Sequence, residues 1–403
     1  MRTVGSKSMN EWVNWSGSLK FTPSAFLQPR SEDELADAIR ESARNGKRIR
    51  VAGAGHSSSS LVETNDTLIQ LKNFKGIVRA DERNGTATLR TGMTVGEAND
   101  ALQELGLALF NTGDVDVQML TGAISTGTHG SGKRLQNLSS MLVGVRMITS
   151  EGDVRNVSQE ADPELMKSVR VALGTLGIFT EITVRVLPLF KLRRVELCTD
   201  IETCLSHFDG LADENRNVDF YWYPRSDEAK IRILNEPGRG SERFPFSFNC
   251  KENTEDWVGK ILPKERVLKF DEMEYALPYE QGIPCFREVR RRVLERHRKD
   301  VAWRVLFRTI ARDDNHISPH HGRDSVSISL HHNAGLPYDT YFSDIEPIFQ
   351  RYGGRPHWGK KHSLRADELR KLYPEWERFQ EVRRNFDKRG LFINNYLKEI
   401  LEV

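Results

Sequence analysis

Two stretches rich in glycine and hydroxyl side chains carry the chemistry that the sequence offers. The first is Gly53-Ala54-Gly55-His56-Ser57, which runs on through Ser58, Ser59 and Ser60. Glycines let a backbone approach a ligand closely. Successive N–H groups in such a turn cradle an anion, and serine hydroxyls add donors. The stretch is not the G-x-G-x-x-G dinucleotide fingerprint, because His and Ser fill the places where that motif needs its third glycine. The second stretch runs Thr121-Gly122-Ala123-Ile124-Ser125-Thr126-Gly127-Thr128-His129-Gly130-Ser131-Gly132-Lys133. It reads as a long loop with little apolar bulk, suited to a pyrophosphate. Gly127 to Lys133 fits the G-x-x-x-x-G-K pattern of nucleoside triphosphatases. That reading fails on Arg134, which stands where a hydroxyl must hold magnesium, and on the polar residues before Gly127, which do not form the required apolar strand. Two such loops, about 70 residues apart, imply one extended ligand that carries a diphosphate.

The elements around them read as alternating strands and helices. Ser31-Glu32-Asp33-Glu34 reads as a capping box, with Leu35, Ile39 and Ala43 at helical spacing and Gly46 as the stop. The segment from Arg48 to Ala52 reads as a strand leading straight into the first loop. Residues Gly76 to Gly92 read as a hairpin with Asn84-Gly85 in a type I′ turn. Thr94-Val95-Gly96-Glu97 is a second capping box, and Asp162-Pro163 opens a third helix. Ile178, Ile182, Val184 and Val186 form one face of a half-buried strand that ends at Pro188. Beyond Phe190 the texture changes, and a domain boundary is expected near 190. Residues 234 to 252 read as an exposed loop. Phe286 to Lys299 reads as an amphipathic helix whose arginines make a solvated face in preference to an anion-binding or membrane surface.

The bulk properties set limits. A chain of 403 residues suggests two or three domains, and a formal net charge of +2 gives no general pull towards nucleic acid. No apolar run is long enough for a transmembrane helix. Met1 to Trp15 lacks a basic head followed by an apolar run, so no secretory leader is expected. Cys198, Cys204, Cys250 and Cys285 form no C-x-x-C pair and fit a reducing cytoplasm. His316, His320, His321, His331 and His332 show no metal-ligand spacing, so no metal site is expected.

The motifs resemble the FAD-binding half of the vanillyl-alcohol-oxidase (PCMH-type) flavoproteins. The match lies in Gly-x-Gly-His-Ser, in Ser125-Thr126-Gly127-Thr128-His129-Gly130-Ser131-Gly132 and in Leu173-Gly174-Thr175-Leu176-Gly177-Ile178. Gly353-Gly354-Arg355-Pro356-His357-Trp358-Gly359-Lys360 and Gly390-Leu391-Phe392-Ile393-Asn394-Asn395-Tyr396-Leu397 narrow it to the aldonolactone oxidase branch, close to the alditol oxidases. The resemblance implies an α+β fold. Residues 1–190 would form a two-subdomain FAD-binding domain. Residues 191–403 would form a cap domain with an antiparallel sheet and flanking helices, with about 370–403 returning to the FAD domain. It implies FAD bonded through His56 to the flavin 8α-methyl. Arg50, Val51, Ala52, Gly53, Ala54, Gly55 and Ser57 would line the cofactor, as would Gly122, Ser125 and Thr126 to Gly130, with Met119 and Ile178 contributing packing. The partners implied are a small sugar-derived substrate and O2. The reaction implied is hydride transfer from a carbinol to flavin N5, with peroxide released.

Within that resemblance Gly113 stands at the point passing flavin C4a, where a small residue favours an oxidase over a dehydrogenase. Lys360 would stabilise negative charge on the reduced ring, and Arg308 would bind substrate. The pocket departs from the pattern in three places. Relatives carry Glu two residues before the arginine, where this chain has Leu306. Asp114 stands where alditol oxidases have Ser. Ser329 and His331 replace their His and Thr. Asp114 or His331 is expected to supply the missing polarity. Rival readings are an alditol oxidase, an oxygen-insensitive dehydrogenase, and a flavin-containing binding protein whose pocket has decayed.

Overall fold

Apolar residues at helical spacing behind Ser31 produce helix Glu32–Arg44, with Leu35 and Ile39 fully buried. The Ser31 hydroxyl accepts from Glu34 N. The Glu34 carboxylate reaches back one residue further than a capping box requires, to Arg30 N at 2.8 Å. Thr94 and Glu97 form the complete reciprocal box on helix Val95–Glu104. These assignments belong to a computed structural model that describes residues 11–240, 244–262 and 267–402. Most of the Met1–Trp15 reading lies outside the described residues.

The described chain forms a mixed α+β structure. Strands Ala25–Leu27, Thr67–Ile69 and Ile49–Val51 make a small parallel sheet, and the last of them feeds the first glycine loop. A five-stranded antiparallel sheet follows, in the order Val154–Ser158, Leu142–Ile148, Ile178–Arg185, Thr86–Arg90, Ile77–Asp81. Its hairpin corrects the expected turn. Asp81 pairs with Thr86, so the loop is Glu82 to Gly85, and only Gly85 has a positive φ, of 59°. The Asp81 carboxylate captures both Asn84 N and Nδ2, which holds Asn84 out of the left-handed conformation that a type I′ turn needs.

Two further loop readings are corrected. The first five residues of the second glycine stretch belong to helix Leu120–Ser125, because Leu120, Ala123 and Ile124 bury one face. The expected loop of 234–252 ends early at strand Asn249–Trp257, which adds an outer edge to the largest sheet; residues 241–243 lie outside the described ones.

That largest sheet has eight antiparallel strands: Asn249–Trp257, Lys191–Asp200, Glu228–Asn235, Asn217–Tyr223, Val305–Ile310, Ser325–Asn333, Phe270–Pro278 and Arg355–Pro356. Side chains alternate across a strand, and here the alternation divides two chemistries. Phe220, Trp222, Phe307, Met273, Tyr275, Ile328 and Leu330 point into a core shared with helices Ile201–Glu214, Gly282–Arg296 and Asp339–Arg351. The opposite register positions are polar. Arg232 faces Asp219, Asp219 faces Arg308, Ser329 lies between Leu306 and Glu274, and His331 faces Glu272. In helix Gly282–Arg296 the basic face is ion-paired: Arg287 and Arg290 with Glu202, Arg292 and Arg296 with Asp344.

The chain beyond residue 386 crosses back over the first half. Leu391 and Phe392 pack with Leu35, Ile39, Ile49 and Ile69, while Ile393, Leu397 and Ile400 belong to the core beneath the large sheet. Among the described residues no helix is long and apolar enough to cross a membrane.

Candidate active site

The two glycine-rich stretches face each other across a cavity of about 380 Å³. Its lining contains no Asp or Glu, while Arg50, Lys72, His56 and Lys360 supply cations or imidazole. Bare backbone at Gly53, Gly55, Gly122, Gly174 and Gly177 forms much of the remaining wall. Gly55 and Gly174 adopt φ of 73° and 67°, a region that costs glycine little, and between them Leu173 holds φ 53°. Thr121 Oγ1 is buried with no protein partner. A donor-rich, acid-free cradle with an orphaned hydroxyl fits a diphosphate-bearing ligand, FAD included.

Arg50 has a structural part in that cradle. Its guanidinium donates to Leu61 O (2.7 Å), Leu173 O (2.8 Å), Gly174 O (3.1 Å) and Phe392 O (2.5 Å). It ties three segments together and keeps few donors for a ligand. Burial pulls its pKa down to about 10, with Asp387 opposing.

A second cavity, of about 80 Å³, lies on the polar face of the large sheet and shares Gln118, Thr128, His357 and Lys360 with the first. Gly113, Asp114, Arg308 and His331 line it, as do Glu272, Glu274, His129, Tyr221, Phe270, Trp303 and Arg304. Lys360 Nζ donates to Glu272 at 2.5 Å, and His331 Nε2 lies 3.4 Å from the same carboxylate. Arg308 Nη2 donates to Glu274 at 2.6 Å, and His129 Nε2 approaches that oxygen at 2.9 Å. Asp114 accepts from Tyr221 OH at 2.5 Å and pairs with Arg232 at 3.0 Å.

Both buried glutamates are ionised despite their burial. For Glu272 burial opposes the charge, but the Lys360 ammonium pulls the other way, and the carboxyl lies below its ordinary range. For Glu274, Arg308 and His129 overcome burial by a wide margin. The imidazoles go the other way. Burial pulls His331 down to about 4 against the pull of Glu272, and His357 down to about 3. His56 falls to about 4 through burial and the nearby Lys360 charge. Each of these rings is neutral at physiological pH.

The expected residues fall into two groups. Arg50, Val51, Ala52, Gly53, Ala54, Gly55, His56, Ser57, Met119, Gly122, Ser125, Thr126, Thr128 and Ile178 line the larger cavity. Gly127, His129 and Gly130 do not. The chain turns at Gly127 and dives towards the sheet, which sends His129 into the smaller cavity and presses Gly130 against Asn111 and Thr112. Lys360, Arg308, Gly113, Asp114 and His331 come together in the smaller cavity. Motif reading missed Glu272 and Glu274. Their signal was the period-two run Glu272-Met273-Glu274-Tyr275, which puts two carboxylates on one strand face. Both line the same cavity as Leu306, Glu274 lying across Ser329 from it. Asp114, by contrast, is held by Arg232 and Tyr221.

The arrangement suits an FAD-binding oxidoreductase. Cholesterol oxidase from Brevibacterium sterolicum shares its fold, with a TM-score of 0.85 at 14% identity over 97% of this chain and 96% of that one. An FAD binding domain model matches residues 23–158, and a D-arabinono-1,4-lactone oxidase model matches residues 238–400. The L-gulono-1,4-lactone dehydrogenase of Mycobacterium tuberculosis is 33% identical, covering 97% of this chain and 99% of that protein. The L-gulonolactone oxidase of Scyliorhinus torazame is 25% identical over 96% of this chain and 98% of its own length. The chain belongs to the aldonolactone oxidase branch of the PCMH-type FAD family.

Proposed function

We propose that the protein oxidises the secondary alcohol beside the carbonyl of an aldono-1,4-lactone, with dioxygen as final acceptor and hydrogen peroxide as by-product. The observation that carries this reading is the shared wall. Gln118, Thr128, His357 and Lys360 border both the acid-free cradle and the charged cavity, so a substrate in one lies against a cofactor in the other. The named activities of the relatives support the substrate class. FAD bound in the cradle would supply the two-electron acceptor, and His56 would hold it covalently.

The chain's own residues do the rest. Arg308, whose buried Nε has no protein partner, and the Lys360 ammonium hold the substrate oxygens. The His331 Nδ1–H donates to Arg304 O at 3.1 Å, which leaves the Nε2 lone pair to take the hydroxyl proton. Glu272, beside that nitrogen, then stabilises the imidazolium that forms. Phe270 and Trp303, packed edge to face, give the cavity an apolar wall. All four cysteines are free thiols, which supports a cytoplasmic setting.

Peroxide release with a panel of aldonolactones and alditols tests this reading. Turnover of an aldonolactone with stoichiometric peroxide is expected. Because one relative is named a dehydrogenase, ferricyanide is included as an alternative acceptor: activity with ferricyanide alone would replace the oxidase reading with the dehydrogenase one. No turnover with either acceptor would leave only a binding protein.

A further inference from the structure

Trp15 lies against His56. Its indole lies against the His56 ring with centroids 4.9 Å apart and planes 28° apart, and its backbone N donates to Gly55 O at 2.8 Å. Among the described residues neither His56 nitrogen has a hydrogen-bond partner, although the ring lines the larger cavity. The usual way to fix an imidazole, a hydrogen bond to one nitrogen, is missing. What holds the ring is an aromatic face, which leaves both nitrogens unengaged.

The indole is itself held in place. Its edge packs on Phe270 at 5.1 Å. The neighbouring Asn14 is buried and donates to Ser57 O at 3.1 Å. Ser16 and Ser18 donate to Asp271, at 3.1 and 2.6 Å. The segment 14–18 therefore bridges the His56 loop and strand Phe270–Pro278. On the far side, Ser58 N donates to Gly359 O at 2.8 Å, and Ser59 Oγ donates to Trp358 O at 2.8 Å. The loop is clamped from both sides and the ring from one face.

We propose that Trp15 is a positioning residue for covalent attachment of the cofactor. The proposal rests on the covalent reading of His56. In the attachment an imidazole nitrogen bonds to the flavin 8α carbon. One C–H bond of that methyl and one imidazole N–H bond are broken. The two hydrogens and two electrons leave to dioxygen, the oxidant, as hydrogen peroxide. A ring free to rotate on Cα–Cβ spends little time facing that carbon, and a stacked ring is pre-oriented.

The test adds FAD to apoprotein from riboflavin-limited culture and follows acid-precipitable flavin with time in wild type, Trp15→Phe and Trp15→Leu. Reversible FAD uptake is measured in parallel by fluorescence quenching. Trp15→Phe keeps an aromatic face and should attach flavin within about threefold of the wild-type rate. Trp15→Leu should bind FAD yet attach it at least about tenfold more slowly. Attachment by Trp15→Leu at the wild-type rate would overturn the proposal. So would a Trp15→Leu protein that takes up no FAD, since Trp15 would then serve binding and not orientation. Acid-labile flavin in the wild type would instead overturn the covalent reading of His56.

Discussion

His331 gives the site a distinctive pH dependence. Burial depresses its pKa to about 4, so the native state favours the neutral ring. The linked stability is fully present above the unfolded value of about 6.5 and is lost as pH falls through the folded value. In its proposed role as base, His331 remains available over the same range. The acid limb of kcat/KM is expected near pH 4, and a limb near 6.5 in a kinetic pH profile would remove His331 from the role. His331→Gln should cost roughly 10²-fold or more in kcat, the usual scale for a lost general base. Glu274 is bound up with stability as well as chemistry. Glu274→Gln leaves Arg308 without its buried carboxylate, and breaking such a pair costs about 3–5 kcal/mol. Urea denaturation checks this. Adding Leu306→Glu, two residues before Arg308 on the same face of strand Val305–Ile310, should recover part of the loss.

The loop carrying Gly113 is fastened at both ends. Asn111 Nδ2 donates to Ser131 O at 3.2 Å and Asp114 pairs with Arg232, which fixes where Gly113 meets the cavity. A Cβ built at Gly113 finds its nearest atom, His129 O, at 3.5 Å, an ordinary contact. Gly113→Ala should therefore melt within a degree or two of wild type and keep ferricyanide turnover, while peroxide production falls by about tenfold as the methyl fills a space of dioxygen size. Equal loss with both acceptors would show that Gly113 serves substrate binding. At this scale the sequence was readable where local rules dominate. The Thr94 box, the Asp162 cap and the helix behind Ser31 all lie where propensity and capping put them. The Asn84 turn was misread because a side chain three residues upstream captured it. The Leu120 helix was misread because its two glycine and hydroxyl neighbours masked a short buried stripe. The motifs disclosed the two loops that line the larger cavity, but Glu272 and Glu274 join the smaller one through strand pairing with His331 and Ser329, a relation between segments that local spacing does not encode.

The large sheet works as a partition across the whole molecule. One face holds the apolar core with its helices, and the other presents charges to the cofactor-binding half. The chain after residue 386 joins the two. Phe386, Leu391 and Phe392 pack into the cores of the first half, and Phe392 O receives the Arg50 guanidinium. Removal of the residues after 386 should abolish FAD retention in gel filtration. It should also lower stability by more than about 3 kcal/mol, since it exposes large apolar side chains and leaves a buried guanidinium short of an acceptor. A truncated protein that stays yellow would show that the return segment is dispensable. The same feature sets the order of assembly in the cell. A ribosome delivers Arg50 hundreds of residues before the Phe392 carbonyl that completes its coordination, so the nascent cradle stays unfinished until that segment has emerged. The coenzyme must then enter a chain that already carries the return segment, and termination upstream of that segment is expected to yield a product that cannot keep its cofactor.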